Sequence, residues 1–307
     1  MSEIENALPS KKEGNTKDIQ NKVEAFWNAE PCDSANSSLS PATQQYYREI
    51  ESGRYAHQGH IEEIMKWIDW NNKRALEIGT GVGTDARKMI SCGAIYQGIN
   101  VDKGSCESTR TALDAFGLKG TVKQMDATNM DFESSTFDVI FSFGVLHHIP
   151  DVQTAISEIQ RVLKPGGYLL LMVYNRSSIN YQIEIRGIRR WLLRGLMVPG
   201  LIPFMGTLGF PEEKLRRHVE LFKTFGKMSE TEWLNRNTDG PDNPYSLVYG
   251  QDEIPQLLGN SFEVIKNEAF YFDWRHWGLL GRAIPRSVVN WLGKRWGWHR
   301  VVLAQRV

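Results

Sequence analysis

A glycine-rich turn that follows a short apolar segment is the sharpest chemical signal in the sequence. Residues 75–84 read ALEIGTGVGT, which predicts a buried strand, a turn and a helix over Thr84 to Ser91. Glycines permit a tight turn and let a ligand approach the backbone, and open α/β sheets bind ligands at the carboxyl ends of their strands. A ligand is therefore expected above this turn. The turn residues assigned to it are Gly79, Thr80, Gly81 and Gly83.

The spacing of these glycines and a preceding acidic residue restrict the identity of that ligand. A dinucleotide fingerprint requires G-x-G-x-x-G, whereas here the third glycine, Gly83, comes one position early and Thr84 occupies its place. Glu77 stands two residues before the first glycine, and its carboxylate would repel a pyrophosphate but suits an ammonium group. The pattern argues against NAD and indicates a ligand with a cationic amino-acid end.

Two further predicted strand ends indicate a nucleoside. Asp102 stands 23 residues after Gly79, where a carboxylate can accept hydrogen bonds from two ribose hydroxyls. Asp126 can accept from an exocyclic adenine amine, and the Ala127 amide can donate to a ring nitrogen. Each aspartate also has a local explanation, since Asp102 can cap a helix that starts near Ser105 and Asp126 can be a turn residue. The three strand ends together describe an adenosine that carries an amino-acid tail.

Five ordered motifs over Arg74 to Tyr174, about a third of the chain, resemble those of class I S-adenosylmethionine-dependent methyltransferases. The resemblance implies S-adenosylmethionine as cofactor and a seven-stranded sheet whose last strand is antiparallel. It also implies that Glu77 holds the methionine ammonium, that Asp102 holds the ribose and that Phe143 begins a segment passing the sulfonium. The motifs are residues 77–83, Asp102, residues 126–127, the block FGVLHHIPD at 143–151 and LKPGGYL at 163–169, in which residues 164–167 form a turn.

Three residues are candidates for catalysis. Relatives tend to place a catalytic or substrate-facing group at the position of His147, so this residue is preferred over its neighbour His148. A histidine can accept a proton near neutral pH as methyl transfer proceeds. Tyr55 lies in the predicted N-terminal lid, where its ring can favour the sulfonium cation. The alternatives are a histidine that only shapes its loop and a lid tyrosine that only packs.

The elements that must position these residues alternate between strand and helix, which predicts an α/β, Rossmann-like, doubly wound seven-stranded sheet. Helices are predicted over Asp18 to Asn28, Pro41 to Ser52 and His57 to Asn71, with a turn over Pro31 to Ser40. Strands are predicted at residues 74–78, 94–101, 121–125, 137–141, 168–174, 262–272 and 299–307, with a helical stretch over 274–297. The domains assigned are an N-terminal helical lid at 1–72, a cofactor-binding core at 73–174, a cap at 175–250 inserted before the sixth strand, and strands and a helix at 251–307 that complete the sheet.

Charge and composition limit the partners. The chain has 36 basic and 36 acidic residues, so it has no overall charge that would attract a polyanion. Basic residues are concentrated only in the cap and the tail, and no module of stacking aromatic and basic residues is seen there. No nucleic-acid partner is therefore predicted. Arg186, Arg189, Arg190 and Arg194 recur at helical spacing. This basic amphipathic helix can contact an anionic membrane, hold an anionic or lipid-like acceptor, or be a solvated face. The run from Trp191 to Phe210 contains helix breakers and is not expected to span a membrane.

Metal binding and secretion are not predicted. His57 and His60 have helical spacing, but no further ligand completes a metal site. The three cysteines form no C-x-x-C pair and the first residues contain no apolar leader, so the cytoplasm is the expected location. The predicted function is methyl transfer to an O, N, S or C nucleophile of a small-molecule acceptor. The alternatives are a nicotinamide-dependent oxidoreductase and a non-catalytic protein that binds S-adenosylmethionine.

Overall fold

The computed structural model describes residues 13–29, 39, 43–208, 212–225, 229–240, 242–274, 281 and 283–307. Seven strands form one sheet in the order β3-β2-β1-β4-β5-β7-β6. Pairing among β1 to β5 is parallel, and β7 runs antiparallel to both β5 and β6. The predicted fold class is confirmed. The strands are β1 Arg74–Ile78, β2 Ile95–Asn100, β3 Thr121–Gln124, β4 Phe137–Phe143, β5 Leu163–Tyr174, β6 Phe262–Phe270 and β7 His299–Arg306.

Twelve α-helices in the described residues cover the sheet and build the cap. The first eight are α1 Glu13–Ala29, α2 Gln44–His57, α3 His60–Met65, α4 Thr84–Ser91, α5 Lys103–Ala115, α6 Val152–Val162, α7 Arg189–Leu196 and α8 Leu201–Thr207. The others are α9 Glu212–Phe225, α10 Glu230–Asn235, α11 Ile254–Leu258 and α12 Arg286–Trp296. A 3₁₀ turn spans Leu146–His148, and a π-helix over Asn180–Ile188 leads directly into α7.

The sheet is buried on both faces, which explains its near-continuous apolar strands. Along β5, Leu169 and Leu171 belong to one core cluster, while Leu170 and Met172 belong to the cluster on the opposite face. The chain leaves β1 toward β2 on one side and returns through β4 on the other. The strand order therefore reverses between β1 and β4, which opens a crevice at their carboxyl ends.

The N-terminal helices differ in length from the sequence predictions. Helix α1 already begins at Glu13, and α2 runs from Gln44 to His57 rather than from Pro41 to Ser52. The predicted helix over His57 to Asn71 is wrong as a continuous element, because only α3 is helical. Tighter i to i+3 hydrogen bonds, such as Trp67 N–H to the Ile64 carbonyl, end it. Except for Leu39, the predicted turn at 31–40 lies outside the described residues.

The motif at 164–167 is a bulge within a longer strand rather than a turn before it. Phe137 pairs with Leu163, but the next pair joins Val139 to Tyr168, so four residues loop out between the two pairs. Strand β5 therefore begins five residues earlier than predicted. Of the predicted helical stretch at 274–297, α12 accounts for 286–296, and residues 275–280 and 282 lie outside the described residues.

The cap has a small core of its own. Ile185, Leu193, Ile202, Val219 and Trp233 pack together, and the Trp233 Nε1–H donates to the Ile185 carbonyl at 2.6 Å. The predicted basic helix lies across the junction of the π-helix and α7. Within the described residues, no helix combines the length and the apolar character that crossing a membrane requires. The predicted domain boundaries at 72, 174 and 250 stay predictions.

Candidate active site

A cavity opens at the carboxyl ends of β1, β2 and β4, where the strand order reverses. Strand β1 ends in the predicted glycine turn, and Gly79 adopts φ +85° there. A Cβ atom on Gly79 would come within 2.1 Å of the Val145 Cγ2 atom, so only glycine fits between the β1 turn and the segment after β4. The backbone of Gly79, Thr80 and Gly81 lines the cavity, whereas Gly83 begins α4 as its N-cap.

Glu77 lies at the floor of this cavity and is almost fully buried. Burial raises the pKa of Glu77 well above its usual range, the Asp85 carboxylate adds to this, and the hydrogen bond from the Tyr96 hydroxyl opposes it. The Arg54 guanidinium also opposes the shift, but burial dominates and disfavours the ionised form of the Glu77 carboxyl. An ammonium group beside it would favour the ionised form, because an opposite charge stabilises a carboxylate.

Asp102 caps a helix with one carboxylate oxygen, and its other oxygen is available to a ligand. Its Oδ1 atom accepts from the Ser105 N–H at 2.7 Å and so caps α5, as the local explanation predicts. Its Oδ2 atom is buried and has no hydrogen-bond partner in the described part of the chain, although the residue lines the cavity. A buried carboxylate oxygen without a partner is costly, so this atom is suited to accept from a bound ligand.

Asp126 and Ala127 line the same cavity beyond β3. The Asp126 Oδ1 atom accepts from the Thr128 N–H at 2.8 Å, which confirms a turn role, and Oδ2 accepts from the Gln20 side chain at 3.3 Å. Gln20 belongs to α1, which contributes Gln20, Val23 and Trp27 to the cavity wall. Helix α1 thus closes the cavity over the strand ends.

Two residues of α2, Arg54 and Tyr55, contact Asp85, a carboxylate close to Glu77. Arg54 donates to the Asp85 carboxylate at 2.6 Å, and both residues line the cavity. The Tyr55 hydroxyl donates to the same carboxylate at 3.1 Å, but Tyr55 is not among the lining residues. Burial raises the pKa of Tyr55, with the Asp85 charge adding to it. Tyr55 therefore orients Asp85 as a neutral phenol.

The two adjacent histidines lie in different environments. His147 is completely buried, neither ring nitrogen has a hydrogen-bond partner in the described part of the chain, and its ring centroid is 3.8 Å from that of Tyr174. Burial lowers the pKa of His147 well below its usual range, and it does not line the cavity. His148 does line the cavity, and the edge of Trp27 packs against its ring. The geometry therefore favours His148 over the residue that the sequence preferred.

His148 is held by a polar network from the cap. Its Nδ1 atom is 2.7 Å from the Tyr245 carbonyl oxygen, which fixes the proton of the neutral ring on Nδ1 and leaves Nε2 as an acceptor. The Nε2 atom is 3.5 Å from the Asp239 Oδ2 atom, and the Tyr174 hydroxyl donates to Asp239 Oδ1 at 2.6 Å. Asp239 also lines the cavity. A proton gained at Nε2 would face a carboxylate that stabilises it.

A second histidine pair closes the cavity near Phe143. His299 lines it, and its Nδ1 atom lies 2.9 Å from the His60 Nε2 atom. Burial lowers the pKa of His60 to about 3, and burial also lowers that of His299 well below its usual range, so both rings are neutral. Among the described residues, no group of three His, Cys, Asp or Glu side chains could hold a metal ion.

Comparison with known proteins agrees with this geometry. Residues 76–171 match a family model described as a methyltransferase domain, and the sheet has the seven strands and the antiparallel last strand that the five motifs imply. Residues 76–171 therefore form a methyltransferase domain of the class I S-adenosylmethionine-dependent type. The family model covers the strand ends that carry Glu77, Asp102 and Asp126, and it stops before the cap.

Similar methyltransferases share the core of this chain. A sterol 4-C-methyltransferase of Caenorhabditis elegans is 32% identical over 114 residues, which cover 36% of this chain and 34% of that protein. A ubiquinone biosynthesis O-methyltransferase of Thiobacillus denitrificans is 26% identical over 130 residues, which cover 40% of this chain and 55% of that protein. The matched segments thus span between about a third and about half of these curated relatives.

Two solved methyltransferase structures share the fold along most of its length. The magnesium protoporphyrin IX methyltransferase of Synechocystis, solved with bound S-adenosylhomocysteine, covers 94% of this chain and 100% of its own, with a TM-score of 0.52 and 12% identity. A methyltransferase of Methanosarcina mazei covers 80% and 97%, with a TM-score of 0.51 and 19% identity. At such identities the likeness shows the fold alone.

The cavity fits S-adenosylmethionine, the cofactor that the methyltransferase domain implies. The unpartnered Asp102 Oδ2 atom matches a ribose hydroxyl donor, the Gly79 turn leaves room for close approach, and Glu77 can ionise beside an ammonium group. The contacts of the individual site residues with the cofactor stay predictions.

Sequence reasoning missed two contributions to this methyltransferase site. One is α1, whose cavity-lining Gln20, Val23 and Trp27 recur at i, i+3 and i+7 and could have been recognised as one helical face. The other is Asp239, which begins the turn-rich run DGPDNPY at 239–245; this run predicts a loop at the mouth of the pocket but no chemical role for Asp239. Its approach to His148 arises from tertiary structure, and no local pattern signals it.

Proposed function

We propose that this protein transfers the methyl group of S-adenosylmethionine to a hydroxyl or carbon nucleophile of a small, largely apolar organic acceptor. One observation carries the proposal. The Asp102 carboxylate, whose Oδ2 atom has no partner among the described residues, and the His148 imidazole, whose Nε2 atom lies 3.5 Å from Asp239, line the same cavity. Asp102 can hold a nucleoside at one end of that cavity, and His148 can accept a proton at the other end.

The half of the cavity lined by Glu77, Asp102 and Asp126, here called the cofactor half, binds and orients S-adenosylmethionine. Asp102 Oδ2 accepts from the ribose, Glu77 ionises and accepts from the ammonium group, and Asp126 with Ala127 holds the adenine. Arg54 faces the same end and can neutralise a carboxylate there, since Asp85 already holds its guanidinium in place. When bound, the cofactor supplies a methyl group activated by its sulfonium. The protein's contribution is chiefly alignment and the exclusion of water, and α1 closes the cavity for this purpose.

The acceptor half of the cavity removes a proton. His148 Nε2 accepts the proton that a hydroxyl or carbon acid loses, and the resulting imidazolium donates to the Tyr245 carbonyl through Nδ1 and faces Asp239 through Nε2. The walls are mostly apolar at this end, with Phe143, Met172, Tyr174 and Trp27. The names of the relatives, which refer to sterols and to ubiquinone biosynthesis, support an apolar acceptor that carries a hydroxyl or an activated carbon.

Calorimetric titration with S-adenosylmethionine, S-adenosylhomocysteine and NAD tests the cofactor assignment. We expect binding of the first two and none of NAD; binding of NAD alone would favour an oxidoreductase and overturn the proposal. Turnover is then measured as release of S-adenosylhomocysteine in the presence of phenolic and sterol acceptors. Tight cofactor binding with no turnover on either acceptor class would favour a non-catalytic binding protein.

A further inference from the structure

The cap has an exposed apolar surface that its own core does not use. The side chains that form this cap patch are Trp191, Leu192, Met197, Val198, Phe204 and Leu208. Trp191 is 73% exposed and Phe204 is 57% exposed, whereas Leu193 and Ile202 on the same two helices are buried in the cap core. Helices α7 and α8 therefore each have an inner face that stabilises the cap and an outer apolar face in contact with solvent. Apolar patches of this kind usually mark an interaction surface.

The chain segment that carries the cap patch contains charges of one sign only, although Glu184, Glu212 and Glu230 from neighbouring segments lie beside it. Between Ile185 and Leu208 the chain carries four arginines and no acidic residue. Arg189 is neutralised by the buried Glu184 at 2.6 Å, and Arg190 pairs with Glu230 at 3.1 Å and lies over the Trp233 ring. Arg194 is exposed and forms no ion pair within the described residues. An apolar surface with an excess of arginine complements an anionic lipid surface, on which tryptophan rings occupy the headgroup level.

The cap patch is joined firmly to the active site. The Arg189 guanidinium donates to the Asn237 carbonyl, two residues before Asp239. On the other side, Trp298 packs against the cap core and stacks on Tyr174 with ring centroids 4.3 Å apart. Both connections end at the acceptor half of the cavity. The helices that carry the cap patch are thus linked through the cap core to the residues of the acceptor half.

We propose that the cap patch docks this protein on the surface of an anionic lipid bilayer, with Trp191 and Phe204 at the boundary of headgroups and acyl chains and Arg194 on the anionic headgroups. The docking itself does not depend on the proposed function. A second apolar face, on α12, is a weaker candidate. Its Trp291 and Trp296 rings pack edge to face with centroids 5.4 Å apart, and Arg295 lies over the Trp296 ring, so these side chains contact one another.

Vesicle flotation with the full chain tests the proposal. Vesicles of phosphatidylcholine alone are compared with vesicles that contain phosphatidylglycerol, at low and high salt. We expect flotation that requires phosphatidylglycerol and falls with salt. The double variant Trp191→Ala/Phe204→Ala should weaken binding by about tenfold or more, because it removes buried aromatic area. Arg194→Gln should weaken it by about fivefold, the effect of one basic side chain near an anionic surface.

Trp291→Ala is the matched control, since Trp291 is 59% exposed and lies on α12. Calorimetric titration with S-adenosylmethionine checks that each variant keeps its folded core, which separates this test from the failure of the proposed function. Unchanged flotation of the double variant and Arg194→Gln, or loss only in Trp291→Ala, would overturn the proposal. So would a change from dimer to monomer in the double variant by light scattering without loss of flotation, because the patch would then join two copies.

Discussion

The two halves of the cavity are built in different ways. The cofactor half takes Glu77, Asp102 and Asp126 from three consecutive strand ends within fifty residues of chain. The acceptor half combines His148, Tyr174, Asp239 and His299, which come from the core, the cap and the last strand. A parallel sheet brings its strand ends to one edge by topology alone, whereas the acceptor half exists only once the cap has packed on the sheet.

The halves also differ in how their polar groups are satisfied. In the cofactor half, the Asp102 Oδ2 atom is buried without a partner among the described residues. In the acceptor half, both nitrogens of His148 face a partner, and the tyrosine hydroxyl of Tyr174 holds Asp239. The first arrangement suits a ligand that donates hydrogen bonds, and the second holds His148 in position before an acceptor binds. Variants in the acceptor half should therefore change turnover, and variants in the cofactor half should change binding.

The largest expected effect comes from His148. Glutamine cannot accept a proton, so His148→Gln should lower kcat by about a hundredfold or more while cofactor affinity stays unchanged. His147→Gln is the matched control. It places an amide without a partner in a buried site, so it should lower the free energy of unfolding by about 1–3 kcal/mol and retain most of kcat. The measurements are initial rates and thermal unfolding.

The opposite pattern, with turnover lost in His147→Gln and kept in His148→Gln, would restore the preference that the sequence suggested. It would require His147 to reach the cavity by a rearrangement of the 3₁₀ turn. Equal loss in both variants at unchanged stability would mean that the two rings act together.

The next largest effect distinguishes the role of Asp102 as the N-cap of α5 from its role in cofactor binding. Asp102→Ala removes the Oδ2 acceptor for the ribose and should weaken S-adenosylmethionine binding by about a hundredfold. It also removes the N-cap, which should cost about 1 kcal/mol of stability. Asp151→Ala provides the control, because Asp151 caps α6 through Thr154 but does not line the cavity. The control should lose similar stability and bind normally, as calorimetry can check; equal affinity in both variants would leave Asp102 a helix cap only.

The sequence predicted the elements that carry the cofactor half because their signals are local. Helix α4 spans Thr84–Ser91 and β1 spans Arg74–Ile78, both as predicted, since a glycine turn and a buried apolar run specify them. The acceptor half was less accessible. Which of two adjacent histidines faces the cavity depends on the turn at Leu146–His148 and on the carbonyl of Tyr245, which is 97 residues away. The predicted helix over 57–71 was wrong because buried apolar residues continue beyond α3 in a non-helical turn.

A variant of Asp239 tests whether this carboxylate positions His148 before an acceptor binds. Asp239→Asn keeps the shape but removes the charge that faces His148 Nε2, so we expect kcat to fall by about tenfold with little change in KM or in cofactor affinity. Asp242→Asn is the control, an exposed carboxylate three residues later that pairs with Arg217. If both variants retain full kcat over the whole pH range, Asp239 is not a positioning residue.

The smallest effect concerns stability against pH and involves buried groups in both halves. The pKa values of His60, His147 and His299 lie below the ordinary histidine value in the folded protein, because burial disfavours their charged forms. Their contribution to stability is therefore complete above about pH 6.5 and is lost as the pH falls, by up to about 1.4 kcal/mol per pH unit for each ring. The unfolding midpoint should drop between pH 7 and pH 5.

Glu77 changes stability in the opposite direction. Its folded pKa is raised, so its contribution is complete below its unfolded pKa and is lost as the pH rises. His60→Gln should thus flatten the decline of the unfolding midpoint toward acid, and Glu77→Gln should steepen it and raise the midpoint near neutral pH. His57→Gln, at an exposed ring, is the control and should not alter the profile. A profile unchanged in both His60→Gln and Glu77→Gln would mean that neither half is stabilised by burying these side chains in their neutral forms.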